Sequence, residues 1–302
     1  MSSDDKVKGI NTDDGKGNNL LIPFQRFFVL YIDVVGQNSK LEKLQQKFQN
    51  PFETKGGFSN EIVEDFTRSF KDVFAMREFF LSFFKDYKKK YFEHQQRNFD
   101  VSLDFVFASD GMFIWTKLSD NFFDEIAALK ICLDALAMSQ IVSFSFDTFF
   151  RAGACISYGI EHPDFKGDYY GPGLARAANL EKSAPYPCVL LDSNIIRIIQ
   201  CYGLVAKKSQ NQPVLDTCRQ LLAYIEYKKT VATEYDTNPA YIFFPYKRFH
   251  QLKSSDSNLI NDVITALQKQ IQNAELPDKI RKQYEILLND IHFVTKDTTS
   301  ID

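Results

Sequence analysis

The sequence predicts an α+β fold built on a β-α-β-β-α-β core, and three features predict it. Phe27-Phe-Val-Leu-Tyr-Ile-Asp33-Val-Val-Gly36 is a strand-forming run that ends on a carboxylate and a glycine. Phe105-Val-Phe-Ala-Ser-Asp110-Gly111-Met-Phe-Ile-Trp115 sets a second carboxylate in an Asp-Gly turn between two apolar runs, a strong hairpin signal. Around them lie stretches with apolar residues at helical spacing.

Composition narrows the class. The chain has 302 residues, 44% hydrophobic and 25% charged, which is enough for a substantial core. A net charge of −3 argues against a general nucleic-acid-binding surface. Its 29 phenylalanines call for a Phe-rich core or a large subunit interface. The five cysteines are odd in number and lack C-x-x-C spacing, as expected of buried free thiols in a reducing compartment. No basic-then-apolar N-terminal segment and no uninterrupted membrane-length apolar run is legible, so a soluble, cytoplasmic protein with no membrane contact is expected.

Taken in order, residues 1–20 are rich in Asp, Gly, Asn and Lys and are expected to be disordered. Phe27 to Val35 reads as a buried strand, and Leu41 to Gln49 as a short amphipathic helix stopped by Asn50-Pro51. From Asn60 to about Arg97, Ile62, Phe66, Phe70, Phe74, Phe80, Phe84, Tyr87 and Tyr91 recur on one helical face, which suits a core or a dimer contact. The Lys88 to Lys90 run is its solvated end. The hairpin spans Val101 to Lys117, and Asp120 is placed to cap a helix running to about Ser139. Arg151 to Gly159 is a strand, 167–173 a loop, Leu174 to Ser183 a small-residue helix, and Cys188 to Leu191 a strand before a helix capped by Asp192 or Ser193. Beyond Gly203 the pattern weakens until a strand near Pro239 to Pro245, then helices at Ser257 to Gln272 and Asp278 to His292. This divides the chain into a tail (1–20), a main domain (21–250) with a helical insertion at about 59–97, and a helical C-terminal extension (251–302).

Chemistry concentrates on the two aspartates. A carboxylate in an apolar strand needs a cation or several donors beside it. An Asp in a Ser-Asp-Gly turn is often only a turn former, but Asp33 after Tyr-Ile has no such explanation. Two carboxylates on adjacent strands can hold a pair of divalent cations, Mn²⁺ or Mg²⁺, against a nucleoside triphosphate. The four histidines are scattered without metal-ligand spacing, and Lys247-Arg248 reads as a solvated strand end.

These segments resemble the class III nucleotidyl cyclases. Phe28-Val-Leu-Tyr-Ile-Asp33-Val-Val-Gly36 is similar to their first metal strand and Ser109-Asp110-Gly111 to their second metal turn. Arg151-Ala-Gly-Ala-Cys-Ile-Ser-Tyr-Gly159 is similar to the strand entering their small-residue loop. Asp168-Tyr-Tyr-Gly171-Pro-Gly-Leu-Ala-Arg-Ala-Ala-Asn179-Leu-Glu181 resembles the loop and helix that meet base and ribose. Within the family, the Gly-Pro-x-Leu helix start, the later Tyr186-Pro187 and the helical tail are most similar to bacterial pyrimidine cyclases of anti-phage signalling, the Pycsar system. The resemblance implies a ferredoxin-like core and a head-to-tail homodimer with composite sites. It implies Asp33, Asp110 and the Val34 backbone as metal ligands, with Val34, Val35, Gly36, Val106, Asp168 and Tyr170 binding substrate.

The departures from the family pattern carry information too. A purine-contacting Lys of adenine-reading members is replaced by Val106, while Asp168 keeps an acceptor, which suits a pyrimidine. The family's transition-state Asn and Arg fall on Ala175 and Asn179, so either Arg176 or Arg151 supplies the guanidinium, or the metals carry more of the charge, or the protein is inactive. The implied reaction makes cyclic UMP, or cyclic CMP, plus pyrophosphate, with the product sensed by a separate effector protein. A catalytically degenerate binding module is the rival reading, and a polymer-directed nucleotidyltransferase a weaker one, opposed by the absence of an aromatic-basic strip.

Overall fold

The computed structural model of the chain describes residues 10–13, 19–22, 24–37, 41–42, 46, 60–95, 101–108, 111–161, 169–225, 230–233, 236–246, 249, 257–274 and 276–296. Ile10–Asp13 (β1) and Asn19–Ile22 (β2) pair as an antiparallel ribbon inside the stretch whose composition argues for disorder. Ile10, Leu20, Leu21 and Ile22 supply strand formers within that polar tail. Then follow β3 (Gln25–Val34), α1 (Asn60–Gln95), β4 (Asp104–Phe107), β5 (Gly111–Lys117), α2 (Phe122–Ser145) and β6 (Phe150–Glu161). These are the β-α-β-β-α-β unit. The main sheet runs β4-β5-β3-β6 through this unit, all antiparallel, which is the ferredoxin-like order. The α1 segment is thus the first crossover helix of the core, and it is one unbroken helix.

The chain continues through β7 (Tyr169–Tyr170), α3 (Gly173–Lys182), β8 (Val189–Leu191), α4 (Ser193–Lys208) and α5 (Gln212–Ala223). It ends with β9 (Thr230–Thr233), β10 (Asp236–Phe243), α6 (Ser257–Gln272) and α7 (Asp278–Lys296). β8 adds to β6 in parallel, and β10 and β9 extend the sheet beyond it.

A central strand apolar on both faces needs cover on both, and β3 has it. Phe28, Leu30, Ile32 and Val34 face α2, whose Phe144 ring lies 6.3 Å from Phe150 on the neighbouring strand. Phe27, Val29, Tyr31 and Asp33 face the other way, toward α3. On that side Gly153 allows the closest approach. A Cβ there would stand 2.1 Å from the Ala177 carbonyl oxygen, so only glycine lets α3 lie on β6.

Several boundaries differ from the sequence-based expectation. α2 starts one residue later than expected: Asn121, not Asp120, caps it, accepting from the Phe123 N–H at 3.0 Å. It runs to Ser145 rather than Ser139, because it is apolar nearly all round and no polar face marks an end. By length and composition α2 also qualifies as a membrane span, contrary to expectation, but 89% of that window is buried in the fold. Asp192 caps α4, accepting from the Asn194 N–H at 2.6 Å. The expected helix near 41–49 lies largely outside the described residues, although Leu41 and Glu42 are helical. The C-terminal helices pack on the core: the Tyr186 hydroxyl donates to Asp290 at 2.8 Å, and the Phe149 and Tyr284 rings lie 4.6 Å apart. Cys132, Cys155, Cys188 and Cys218 are buried free thiols, whereas Cys201 on α4 is exposed. Burial pushes Cys155 up to about 12 and Cys218 to about 11.

Candidate active site

Asp33 occupies the next-to-last position of β3 and is nearly buried, at 8% exposure. The chain turns immediately afterwards through Gly36, whose φ of +86° is a left-handed conformation that favours glycine. The Val35 N–H is committed to the Phe149 carbonyl at 2.8 Å. That N–H therefore does not point to a substrate phosphate.

Across the ladder Asp33 faces Gly111, the first residue of β5. The Ala108 N–H bonds the Gly111 carbonyl at 3.1 Å, joining the residues on either side of Ser109 and Asp110 in the sequence. Those two residues and Asp168 lie outside the described residues. Arg77 of α1 holds the described ends of the two strands together: it donates to the carbonyls of Ala108 (2.5 Å) and Gly111 (2.9 Å) and stacks 4.2 Å over the Phe107 ring. Sequence reasoning did not single out Arg77, although an arginine inside an otherwise apolar helical stripe was the available signal. Arg77→Ala removes charge-assisted bonds to two carbonyls, so we expect a loss of about 2–4 kcal/mol in urea-unfolding stability. Retention of wild-type stability would mean the two strand ends hold together without it.

On its other side Asp33 faces Arg151 of β6. The Arg151 guanidinium lies 3.6 Å from the Asp33 carboxylate and 2.7 Å from that of Glu181, a side chain only 3% exposed on α3. Asp33 is therefore one end of an Asp–Arg–Glu chain of charges. Arg176 points elsewhere, pairing with Asp192 at 2.7 Å and so tying α3 to the N-terminus of α4. Asn179 is partly buried on the same helix.

The expected base-reading residues are not gathered around Asp33. Val106 shares its face of the sheet, since Tyr31 pairs with Phe113 and Phe113 with Val106. It stands 49% exposed on the edge strand. Tyr170 is 82% exposed and pairs with Ile160, nine residues along β6 from the partner of Asp33. At about 3.4 Å per residue that is about 30 Å.

Next to the site runs an apolar surface. Val63, Phe66, Phe70 and Phe74 on α1 and Phe105, Val106 and Phe107 on β4 are each 41–54% exposed. The stripe expected to be one apolar face thus splits: Phe80 and Phe84 enter the core, and its first half faces solvent. The Gln37 amide donates to Asp72 at 3.5 Å, which brings this part of α1 to the turn after Asp33.

The atoms here suit a hard divalent cation in kind: carboxylate and main-chain carbonyl oxygens at the end of β3. Among the described residues no group of three or more His, Cys, Asp or Glu side chains is placed to hold a metal ion. Asp33 supplies one carboxylate, and the count of donors depends on Asp110.

No family model matches this sequence, and neither does any curated protein. Among solved structures, a bacterial light-regulated adenylyl cyclase overlaps it at 12% identity and TM-score 0.34, over 59% of this chain and 46% of that one. This chain thus spans less than half of that protein. The catalytic core of a rhodopsin-guanylyl cyclase with converted specificity gives 12% identity and TM-score 0.35, over 59% and 83%. An adenylate/guanylate cyclase/hydrolase from Silicibacter pomeroyi gives 12% and 0.32, over 72% and 95%. Overlaps this slight assign no activity.

Proposed function

We propose that the chain is a pyrimidine nucleotide cyclase that converts UTP or CTP to the 3′,5′-cyclic nucleotide and pyrophosphate as a homodimer. The observation that carries this reading is the pairing of Asp33 with Gly111, which sets a nearly buried carboxylate opposite the residue that follows Asp110 in the sequence. When bound by Asp33, Asp110 and the Val34 carbonyl, two Mn²⁺ or Mg²⁺ ions would acidify the ribose 3′-hydroxyl and neutralise triphosphate charge. The 3′-oxygen attacks the α-phosphorus in line and pyrophosphate leaves. Arg151 takes the guanidinium role in this reading, because it lies 3.6 Å from the Asp33 carboxylate whereas Arg176 pairs with Asp192. Val34, Val35 and Gly36 form the floor on which the triphosphate rests. Asp168, Tyr170, Asn179 and Val106 read base and ribose from a second subunit. The sequence resemblance extends the reading to an antiviral signal sensed by a separate effector protein.

Product analysis by mass spectrometry, with all four ribonucleoside triphosphates and Mn²⁺, is the direct test. UTP or CTP should outcompete ATP and GTP by tenfold or more, roughly the discrimination a matched polar contact provides. Asp168→Ala should reduce that preference. Cyclic AMP as the only product would sink the pyrimidine assignment and leave the cyclase. A second reading, a degenerate cyclase fold that binds nucleotide without reaction, is favoured by one observation: a guanidinium already faces Asp33. Intact triphosphate after prolonged incubation would select it.

A further inference from the structure

The helical layer holds a cavity of about 500 Å³, open to solvent on one side, that the proposed reaction does not use. Three helices wall it: Tyr87, Lys90 and Tyr91 come from α1, Lys130 from α2, and Thr217 and Gln220 from α5. Its volume falls in the range of small-molecule sites, roughly 300–1,000 Å³. It is separated from Asp33 by the sheet, since α2 packs on the Phe150 side and Asp33 faces α3.

The polar groups in the walls define what fits. Lys130 and Asp134 form an ion pair with side chains only 10% exposed, and the Tyr224 hydroxyl donates to Asp134 at 2.8 Å. Buried ion pairs of this kind contribute little stability compared with apolar packing. Tyr87 and Tyr91 are one helical turn apart and offer two rings to one wall. The Lys90 ammonium lies 5.5 Å from the centre of the Tyr87 ring. Asp134 and Asp216 also line the cavity, so the two lysines face two carboxylates. That balance accepts a single negative charge at the exposed Lys90 and opposes a polyanion.

We propose that this cavity binds a 3′,5′-cyclic mononucleotide, with its base against the tyrosines and its one phosphodiester charge at Lys90. The choice of this ligand rests on the cyclase reading, in which it is the product.

The test is calorimetric titration of full-length Asp33→Asn protein, which cannot turn over in that reading, with 3′,5′-cyclic UMP and 3′,5′-cyclic CMP. At least one should bind saturably. Adding Lys90→Glu should weaken binding about tenfold or more, and Gln220→Trp, which fills the cavity mouth, should abolish it. Both changes are at exposed positions, and circular dichroism melting should confirm an intact fold. UTP in equal amount should leave the isotherm unchanged. The proposal is overturned if neither nucleotide binds by about 1 mM, or if affinity is the same in both cavity variants. Wild-type turnover judges the cyclase reading separately. Cyclisation without cavity binding removes this proposal alone, and cavity binding without cyclisation removes the cyclase reading alone.

Discussion

Replacing Asp33 with Asn should lower cyclic nucleotide formation on the order of a thousandfold or more, because the attacking hydroxyl loses the charge that holds its activating cation. The folded state should tolerate the change. Arg151 keeps its 2.7 Å contact with Glu181, so no buried guanidinium is left without a carboxylate. Arg151 already offsets the Asp33 charge, so the substitution relieves little carboxylate repulsion and should shift the melting temperature by only a few degrees. Asp110→Asn should match it in turnover. Near-wild-type product formation by either variant, measured with Mn²⁺, would remove the two-metal mechanism.

Mixing two inactive proteins should restore activity. One carries Asp110→Asn and the other Asp168→Ala with Asn179→Ala, so only a heterodimer holds one intact composite site. The ladder register motivates this: Asp33 and the strand that follows Asp168 pair with β6 about nine residues apart, about 30 Å, too far for one nucleotide. The half-exposed phenylalanines beside Gln37 offer the contact. Phe70 and Phe74 stack 5.8 Å apart on that surface, and Phe70→Asp with Phe74→Asp should yield a monomer in sedimentation and abolish turnover. Central aromatic contacts of this kind are worth about 2 kcal/mol or more each. A monomeric wild type, or no recovery when heterodimers are shown to form, would mean that each subunit builds its own site.

The core was legible where local pattern and tertiary role coincide. β3 and the Asp-Gly hairpin follow from apolar runs bounded by turn residues, and α6 matches its expected limits. α5 was missed, although Asn211 and Pro213 mark its start, since Val214, Cys218 and Leu221 give only a thin apolar stripe. β9 was missed as a four-residue outer strand with little to distinguish it from a loop. At the site, Asp33 stood out because a carboxylate contradicts its apolar surroundings. Its pairing with Arg151 did not, because cross-strand register joins residues more than a hundred positions apart. The same holds for Val106: sequence marks it as apolar, but only the sheet order shows that it sits on an edge.

The burial of four thiols beside one exposed thiol makes this chain a natural single-label reagent. A maleimide dye reacts through the thiolate, which burial suppresses at Cys132, Cys155 and Cys218. Native protein should therefore take up one dye, at Cys201, and unfolded protein five. Donor- and acceptor-labelled batches of the unmutated chain then report subunit exchange by energy transfer. The rate of that exchange sets how long the mixed dimers must be equilibrated before their activity is read.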